Sequence, residues 1–273
     1  MMMKRLLGLL ASVSFLAGIP APGLLVAPLS AGLIVPFAAW ASEGEVRLES
    51  APIDVRDAVS LQAGARTFVN YCLNCHGASL LRYNRLTDIG LTEQQIKENL
   101  LFTADKVGEM MNIAMTKKDA ADWFGPAPDL SLIARSRGAD WLWTYFRGYY
   151  RDPNSPTGWN NTVFPGVGMP HVLWQLQGDR ILIEDISRDV AGQPVKDSHG
   201  NVIKSVRFET VRRGTLSQVE YDTAVRDLVN FMTWMAEPNQ VLRKQVGIWV
   251  LYFLAVLVAL SHALYKEFWK DVH

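Results

Sequence analysis

Cysteine is nearly absent from this chain: Cys72 and Cys75 are the only two in 273 residues. Structural zinc needs four ligands, so His171 and His199 would have to complete such a site without the usual ligand spacing. A thioredoxin-like redox pair wants a βαβ setting, and nothing upstream of Cys72 supplies one. Neither charge is in excess, with 27 basic against 27 acidic side chains, which excludes the concentrated basic face that nucleic acid calls for. Internal repeats and low-complexity runs are also missing.

Charge is scarce in two long stretches, one near each end. In residues 1–41 only Lys4 and Arg5 are charged. A long apolar run follows them and closes on Ala39-Trp40-Ala41, a small-x-small pattern that predicts an export signal cleaved before Ser42. Pro20, Pro22, Pro28 and Pro36, with the unusual length, leave an uncleaved anchor as the alternative. The second stretch, residues 245–265, has no Asp, Glu, Lys or Arg between Lys244 and Lys266. As a helix its 21 residues reach about 31 Å, enough to cross the hydrocarbon core.

Trp249 and Tyr252 near one end of that stretch, and Tyr265, Phe268 and Trp269 near the other, suit the two membrane interfaces. Arg243 and Lys244 balance Lys266 and Lys270, so basic residues do not orient the helix. The export signal does: it places residues 42–244 outside the cytoplasmic membrane and leaves 266–273 as a short cytoplasmic tail. Without residues 1–41 the chain has 25 basic and 27 acidic side chains, a net of −2. Residues 42–240 are long enough for one domain with a buried core.

The chemistry is concentrated in Cys72-Leu73-Asn74-Cys75-His76. Two thiols three residues apart on a helical turn can each add across a vinyl group of one haem, and the histidine after them is held under the iron. The prediction is one covalently attached haem c with His76 as proximal ligand. Both cysteines are used, so no disulfide remains to report the redox compartment.

Leu61, Gly64, Ala65, Phe68, Val69 and Cys72 recur at helical spacing and lead into this motif, while Val225, Leu228, Val229, Phe231, Met232 and Met235 mark a closing helix before Glu237-Pro238. In a cytochrome c fold the first and last helices cross over a small residue facing aromatics, a role open to Gly64 and Phe68 against Phe231 or Trp234. Haem iron held by His and Met has a raised potential suited to electron transfer, whereas an open sixth position suits binding or activation of small molecules, so the candidates for a sixth ligand are the methionines. Met110, Met111 and Met115 fall in a stretch that reads as helical and core-filling. Met169 sits instead in Phe164-Pro165-Gly166-Val167-Gly168-Met169-Pro170-His171, a glycine-rich strap stiffened by Pro170, and is the candidate metal ligand beside His76. His171 is its competitor.

Residues 178–214 alternate polar and apolar in Arg180 to Ile186 and in Val202 to Thr210. With Asp197-Ser198-His199-Gly200-Asn201 between them they predict a β-hairpin insert.

Phe68 to His76, Pro126 to Trp141 and Gly168-Met169-Pro170 together resemble the cytochrome c1 family. So do Thr215 to Val219 followed by Asp222, then Trp234 to Pro238 and a single terminal anchor. The likeness covers residues 45–270 in order. It implies a mainly α fold: a cytochrome c-type haem domain with a small β-hairpin insert and one C-terminal transmembrane helix. It also implies a place in the cytochrome bc1 complex of the cell inner membrane, with a cytochrome b subunit and a Rieske iron-sulfur protein as partners. There the Rieske protein reduces the haem, a soluble or tethered cytochrome c accepts the electron, and the haem domain faces the periplasm.

Under that likeness Cys72 and Cys75 hold the porphyrin, His76 and Met169 ligate iron, and Arg137 pairs with a propionate, since a guanidinium can meet a carboxylate with two hydrogen bonds. Arg135 is its rival, because this chain has Gly138-Ala139 where related chains often have two glycines. Trp141 stands where a tyrosine is common. Pro128 and Leu130 line the haem edge as apolar cover. This subunit needs no general acid, base or nucleophile of its own. Two other classes share the haem motif: a membrane-anchored haem c subunit of another oxidase or dehydrogenase, and a haem-based ligand-binding module with a vacant sixth position.

Overall fold

The computed structural model describes residues 48–271, apart from 117, 120, 121, 123, 124, 126, 188, 197–199, 201 and 203. The predicted export signal, Pro126, and the predicted hairpin tip at 197–199 and 201 lie outside the described residues.

Helix α1 (Ala58–Tyr71) starts where the Asp57 carboxylate accepts the backbone N–H groups of Val59 and Ser60, and it runs straight into the Cys72 turn. Its buried face is Leu61, Gly64, Ala65, Phe68 and Val69, the stripe that the spacing predicts. After the haem motif come β1 (Ala78–Arg82), a 3₁₀ segment (Tyr83–Ile89), and α2 (Glu93–Asn99) with its Thr92–Gln95 capping box. Strand β2 (Met110–Met111) pairs antiparallel with β1, Ala78 opposite Met111 and Arg82 opposite Met110. The helical expectation for these methionines is therefore wrong. The segment is too short to hold a helix alone, and the β1 backbone offers it partners instead. Met111 is buried, as expected of a core residue, but Met110 is exposed.

Two short helices, α3 (Ile133–Arg137) and α4 (Ala139–Arg147), meet at Gly138. Its φ of 89° and ψ of 154° lie in a region open to glycine alone. Strands β3 (Tyr149–Arg151) and β4 (Trp159–Asn161) form a small antiparallel ladder, and α5 (Trp174–Gln177) precedes a longer one. In that ladder β5 (Gly178–Ile186) pairs antiparallel with β6 (Lys204–Arg213). Its burial does not follow the alternation, for Arg180 is buried and Ile181 exposed. The Arg180 guanidinium faces inward because it donates to the carbonyls of Arg147 and Tyr149 and covers the Phe208 ring at 4.2 Å.

The closing helix α6 (Gln218–Ala236), capped by Ser217 and Glu220, crosses α1. A Cβ on Gly64 would lie 2.0 Å from the Asp227 carbonyl oxygen and 2.7 Å from the Phe231 Cβ, so only a glycine lets the backbones approach this closely. Phe68 and Phe231 meet beside it with ring centres 5.6 Å apart, and Trp234 follows at 5.8 Å from Phe231. The predicted crossing residues are the ones in contact. A buried polar clasp fixes its register: Ser60 donates to Asp227 at 2.7 Å, and Asn230 donates to Ser60 at 3.0 Å and to the Asp54 carbonyl at 2.7 Å.

Residues 237–239 separate α6 from α7 (Gln240–Phe268), a 29-residue helix with mean hydropathy 2.1 over its most apolar window. Among the described residues it is the one helix long and apolar enough to cross a membrane. The helix extends beyond 245–265 at both ends, and Glu237 ties its start to the domain by pairing with Arg243 and, at 3.8 Å, with Arg135.

Gly64→Ala puts a methyl group into backbone, so it is expected to cost about 2–3 kcal/mol. Thermal unfolding of the full chain in detergent reads this as a fall in Tm of roughly 2–4 °C per kcal/mol. A variant that unfolds at the parental temperature would contradict the close crossing.

Candidate functional site

The helical ladder of α1 continues one step past its end. Cys72 and Leu73 both donate to the Phe68 carbonyl, and Cys75 and His76 both donate to that of Cys72, at 3.1 and 2.9 Å. The motif is thus a tight turn closed on its first cysteine. Burial pushes the Cys72 thiol up to about 12, with Cys75 beside it adding to the rise, and burial also raises Cys75. Thiolates are disfavoured here, which suits neutral thioethers better than a redox pair or thiolate ligands.

His76 is buried, and its Nδ1 lies 2.8 Å from the Pro128 carbonyl oxygen. A carbonyl only accepts, so Nδ1 carries the hydrogen and Nε2 keeps its lone pair for a metal, the usual arrangement of a metal-bound imidazole. The Pro128 segment is itself held in place. Leu130 N–H donates to the Gly77 carbonyl at 2.8 Å, and the Asp129 carboxylate accepts from the backbone of Ser79 and of Ser131. Burial pushes the Asp129 carboxyl up, but these hydrogen bonds outweigh it and hold the group below the usual carboxylate range.

A cavity of about 280 Å³ opens in front of this turn, lined mainly by apolar groups. Cys72, His76, Pro128, Leu130, Arg137 and Met169 all border it, so the structure gathers every predicted site residue except Cys75 around one space. An apolar cleft with an imidazole on one wall and a thioether among its other lining groups has the shape and donor set of a haem pocket. Arg137 borders the cleft with its guanidinium 5.3 Å from the Trp141 ring centre. Arg135, one position before Ser136, does not line the cavity and faces Glu237 instead. Trp141 also lines it and stacks on Tyr145 at 4.7 Å.

His171, the competing ligand, is turned away. It does not border the cavity, its Nε2 is engaged with Gln177 Oε1 at 2.7 Å, and its ring stacks on Tyr149 at 4.6 Å. Burial pushes its pKa down to about 3, so it stays neutral across the physiological range. Among the described residues no group of three or more His, Cys, Asp and Glu could hold a metal ion.

Several lining residues escaped the sequence reading: Leu142, Tyr145 and Phe146 on α4, with Phe164 and Val167 on the strap. Tyr145 is the consequential one. Its hydroxyl lies 3.5 Å from Met169 Sδ and 2.6 Å from the Tyr149 hydroxyl, which in turn lies 3.3 Å from the Met169 carbonyl oxygen. Burial raises both phenols, so both keep their hydrogens. The signal was the aromatic series Trp141, Tyr145, Tyr149 at four-residue steps, which marks one face of a helix and its exit.

Compared with protein-family models, the chain matches the Cytochrome C1 family over residues 49–198 and 206–272. It is 47% identical over 243 residues to a cytochrome c1 of Allochromatium vinosum, covering 88% of this chain and 96% of that one. It is 46% identical over 246 residues to a protein of Nitrosomonas europaea named ammonia monooxygenase gamma subunit, covering 90% and 97%. A cytochrome c1 of Rhodospirillum rubrum is 28% identical over 294 aligned positions, covering 89% and 96%. With matches that span the haem motif, the cavity and the anchor, the chain belongs to the cytochrome c1 family and carries that family's covalently bound haem c.

Proposed function

We propose that this chain is the electron-transfer subunit of a cytochrome bc1 complex, reduced by the Rieske iron-sulfur protein and oxidised by a cytochrome c. The observation that carries the reading is the apolar cavity bordered by both His76 and Met169, directly beyond Cys72-Leu73-Asn74-Cys75-His76, in a chain with a membrane-crossing helix. The haem supplies a one-electron couple when bound.

The chain's own residues do the rest. Cys72 and Cys75 tether the porphyrin through thioethers. His76 presents Nε2, aimed by the Pro128 carbonyl, and Met169 presents its thioether from the Gly168-Met169-Pro170 strap. Arg137, which borders the cavity, would offer its fork to a propionate. Leu130, buried beside the exposed Pro128, keeps water from the haem edge, and a lowered local dielectric together with a His/Met ligand pair raises the reduction potential.

Membrane attachment supports the same reading, since ubiquinol is a membrane substrate. A protein of Bradyrhizobium diazoefficiens named cytochrome b/c1 is 24% identical over 254 residues, and this chain covers 34% of its length. Its name joins cytochrome b with cytochrome c1, which supports a cytochrome b partner here. The predicted export signal and the covalent haem both favour a haem domain on the periplasmic side of the inner membrane, with the anchor crossing once.

One observation favours a second reading. A relative is named as a subunit of an ammonia monooxygenase, so this chain's membrane-anchored haem c domain would serve an oxidoreductase other than a bc1 complex. Purification of the tagged chain from its native membrane, with a reduced-minus-oxidised spectrum, separates the two. Co-purification of a haem b membrane protein and a Rieske protein is the expected result; association with an oxidase that lacks both would transfer the function to the second reading.

Replacing Met169 with alanine tests the ligand set. Loss of the low-spin His/Met spectrum and a lower reduction potential are expected. A spectrum and potential unchanged from the parent would remove Met169 from the iron and favour a ligand-binding module.

A further inference from the structure

Two hydroxyl groups beside the strap make three contacts with only two hydrogens to serve them. Tyr145 Oη and Tyr149 Oη are 2.6 Å apart, Tyr145 Oη is 3.5 Å from Met169 Sδ, and Tyr149 Oη is 3.3 Å from the Met169 carbonyl oxygen. The contact between the hydroxyls always takes one hydrogen. If Tyr145 supplies it, the hydrogen of Tyr149 is left for the Met169 carbonyl. If Tyr149 supplies it, the hydrogen of Tyr145 is left for the Met169 thioether. The second hydrogen therefore serves either the sulfur or the backbone of the same residue, never both.

The surroundings hold the pair in this geometry. Tyr145 is stacked on Trp141, and Asn161 Nδ2 donates to its backbone carbonyl at 2.8 Å. Tyr149 is stacked on His171, whose Nε2 is engaged by Gln177. Both tyrosines are buried, at 7% and 1% exposure, so neither hydroxyl can turn to bulk water instead. Exchange between the two arrangements needs only rotation about the two C–O bonds; no bond to hydrogen breaks and no proton leaves.

We propose that Tyr145 and Tyr149 are positioning residues that set how strongly Met169 Sδ donates electrons to the haem iron, an inference that rests on Met169 being the sixth ligand. A thioether sulfur has two lone pairs, one for the metal and one free to accept the Tyr145 hydroxyl. That hydrogen bond draws density from the sulfur and disfavours the electron-poorer ferric state, and hydrogen bonds to ligands are among the levers a protein has on a haem potential. Tyr149 competes for the same hydrogen. The two residues therefore act with opposite sign, although both are aromatic groups in one cluster.

The test is a spectroelectrochemical titration of the full, haem-loaded chain in detergent, read together with the thioether-to-iron charge-transfer band of the oxidised protein. Tyr145→Phe is expected to lower the potential with the band retained, because the sulfur loses its donor. Tyr149→Phe is expected to raise it, because Tyr145 then has no other acceptor. The double variant is expected to follow Tyr145→Phe, since Tyr149 has no path to the sulfur. Potentials that stay unchanged, or move in the same direction in both single variants with the band intact, would overturn the inference and leave the ligand assignment standing. If Tyr145→Phe does not accumulate with haem, Tyr149→Phe decides alone: a rise supports the proposal, and a fall or no change overturns it. Absence of the band in the parent protein would overturn the Met169 assignment and this inference with it.

Discussion

A neutral imidazole carries one hydrogen, and in His76 it goes to the Pro128 carbonyl at 2.8 Å. That bond decides which nitrogen is free, which way the ring faces, and how the residues after the haem motif meet the proline loop. It depends in turn on contacts that bring the two segments together: Leu130 N–H on the Gly77 carbonyl, and Asp129 bridging the backbones of Ser79 and Ser131. A Cβ on Gly77 would approach Asp129 Oδ2 to 3.1 Å, so a side chain at that position would press on the same bridge. The apolar edge formed by Pro128 and Leu130 and the orientation of the His76 ring are therefore consequences of one local arrangement. A loop that shifted would disturb both together.

The other half of the pocket hangs on the crossing of α1 and α6. Gly64 lets the two backbones touch, and the clasp of Ser60, Asp227 and Asn230 allows the crossing only one register. Met232, four residues after Leu228 on α6, then reaches the cavity that Cys72 enters from the end of α1. Packing away from the cavity thus fixes how α1 and α6 meet at its wall. The polar clasp is costly to bury: Ser60, Asp227 and the Asn230 amide nitrogen are all paired, but Asn230 Oδ1 has no hydrogen-bond partner, so part of that cost is not recovered.

The parts of this arrangement that were legible in the sequence are those written in short spacings. The haem motif, the stripe from Leu61 to Cys72, the stripe from Val225 to Met235 and the uncharged anchor each depend on neighbours within a turn or two, and the fold keeps them. Arg137 was preferred over Arg135 only on the family likeness, because both end the same short helix; in the fold Arg137 borders the cavity beside Trp141, and Arg135 faces Glu237. Met110 and Met111 were misread for a related reason: their partners, Arg82 and Ala78, lie about thirty residues away. Alternation foretold a ladder in residues 178–214 but not that Arg180 would face inward, since its carbonyl acceptors come from α4 and β3.

Ligand choice at the strap is a matter of exclusion as well as presentation. Met169 and His171 are two residues apart, and an imidazole could in principle serve the iron as well as a thioether. The fold removes that option. His171 is packed between Tyr149 and the edge of Trp159, and its Nε2 is already engaged with Gln177. To reach the cavity it would have to leave the Tyr149 stack and free the Gln177 side chain, which is itself buried and would lose a partner. Tyr149 therefore stands between the rejected histidine and the proposed methionine ligand, with its ring on one and its hydroxyl against the carbonyl of the other. A single buried aromatic thus holds His171 away from the cavity and lies against the backbone of Met169, the ligand proposed in its place.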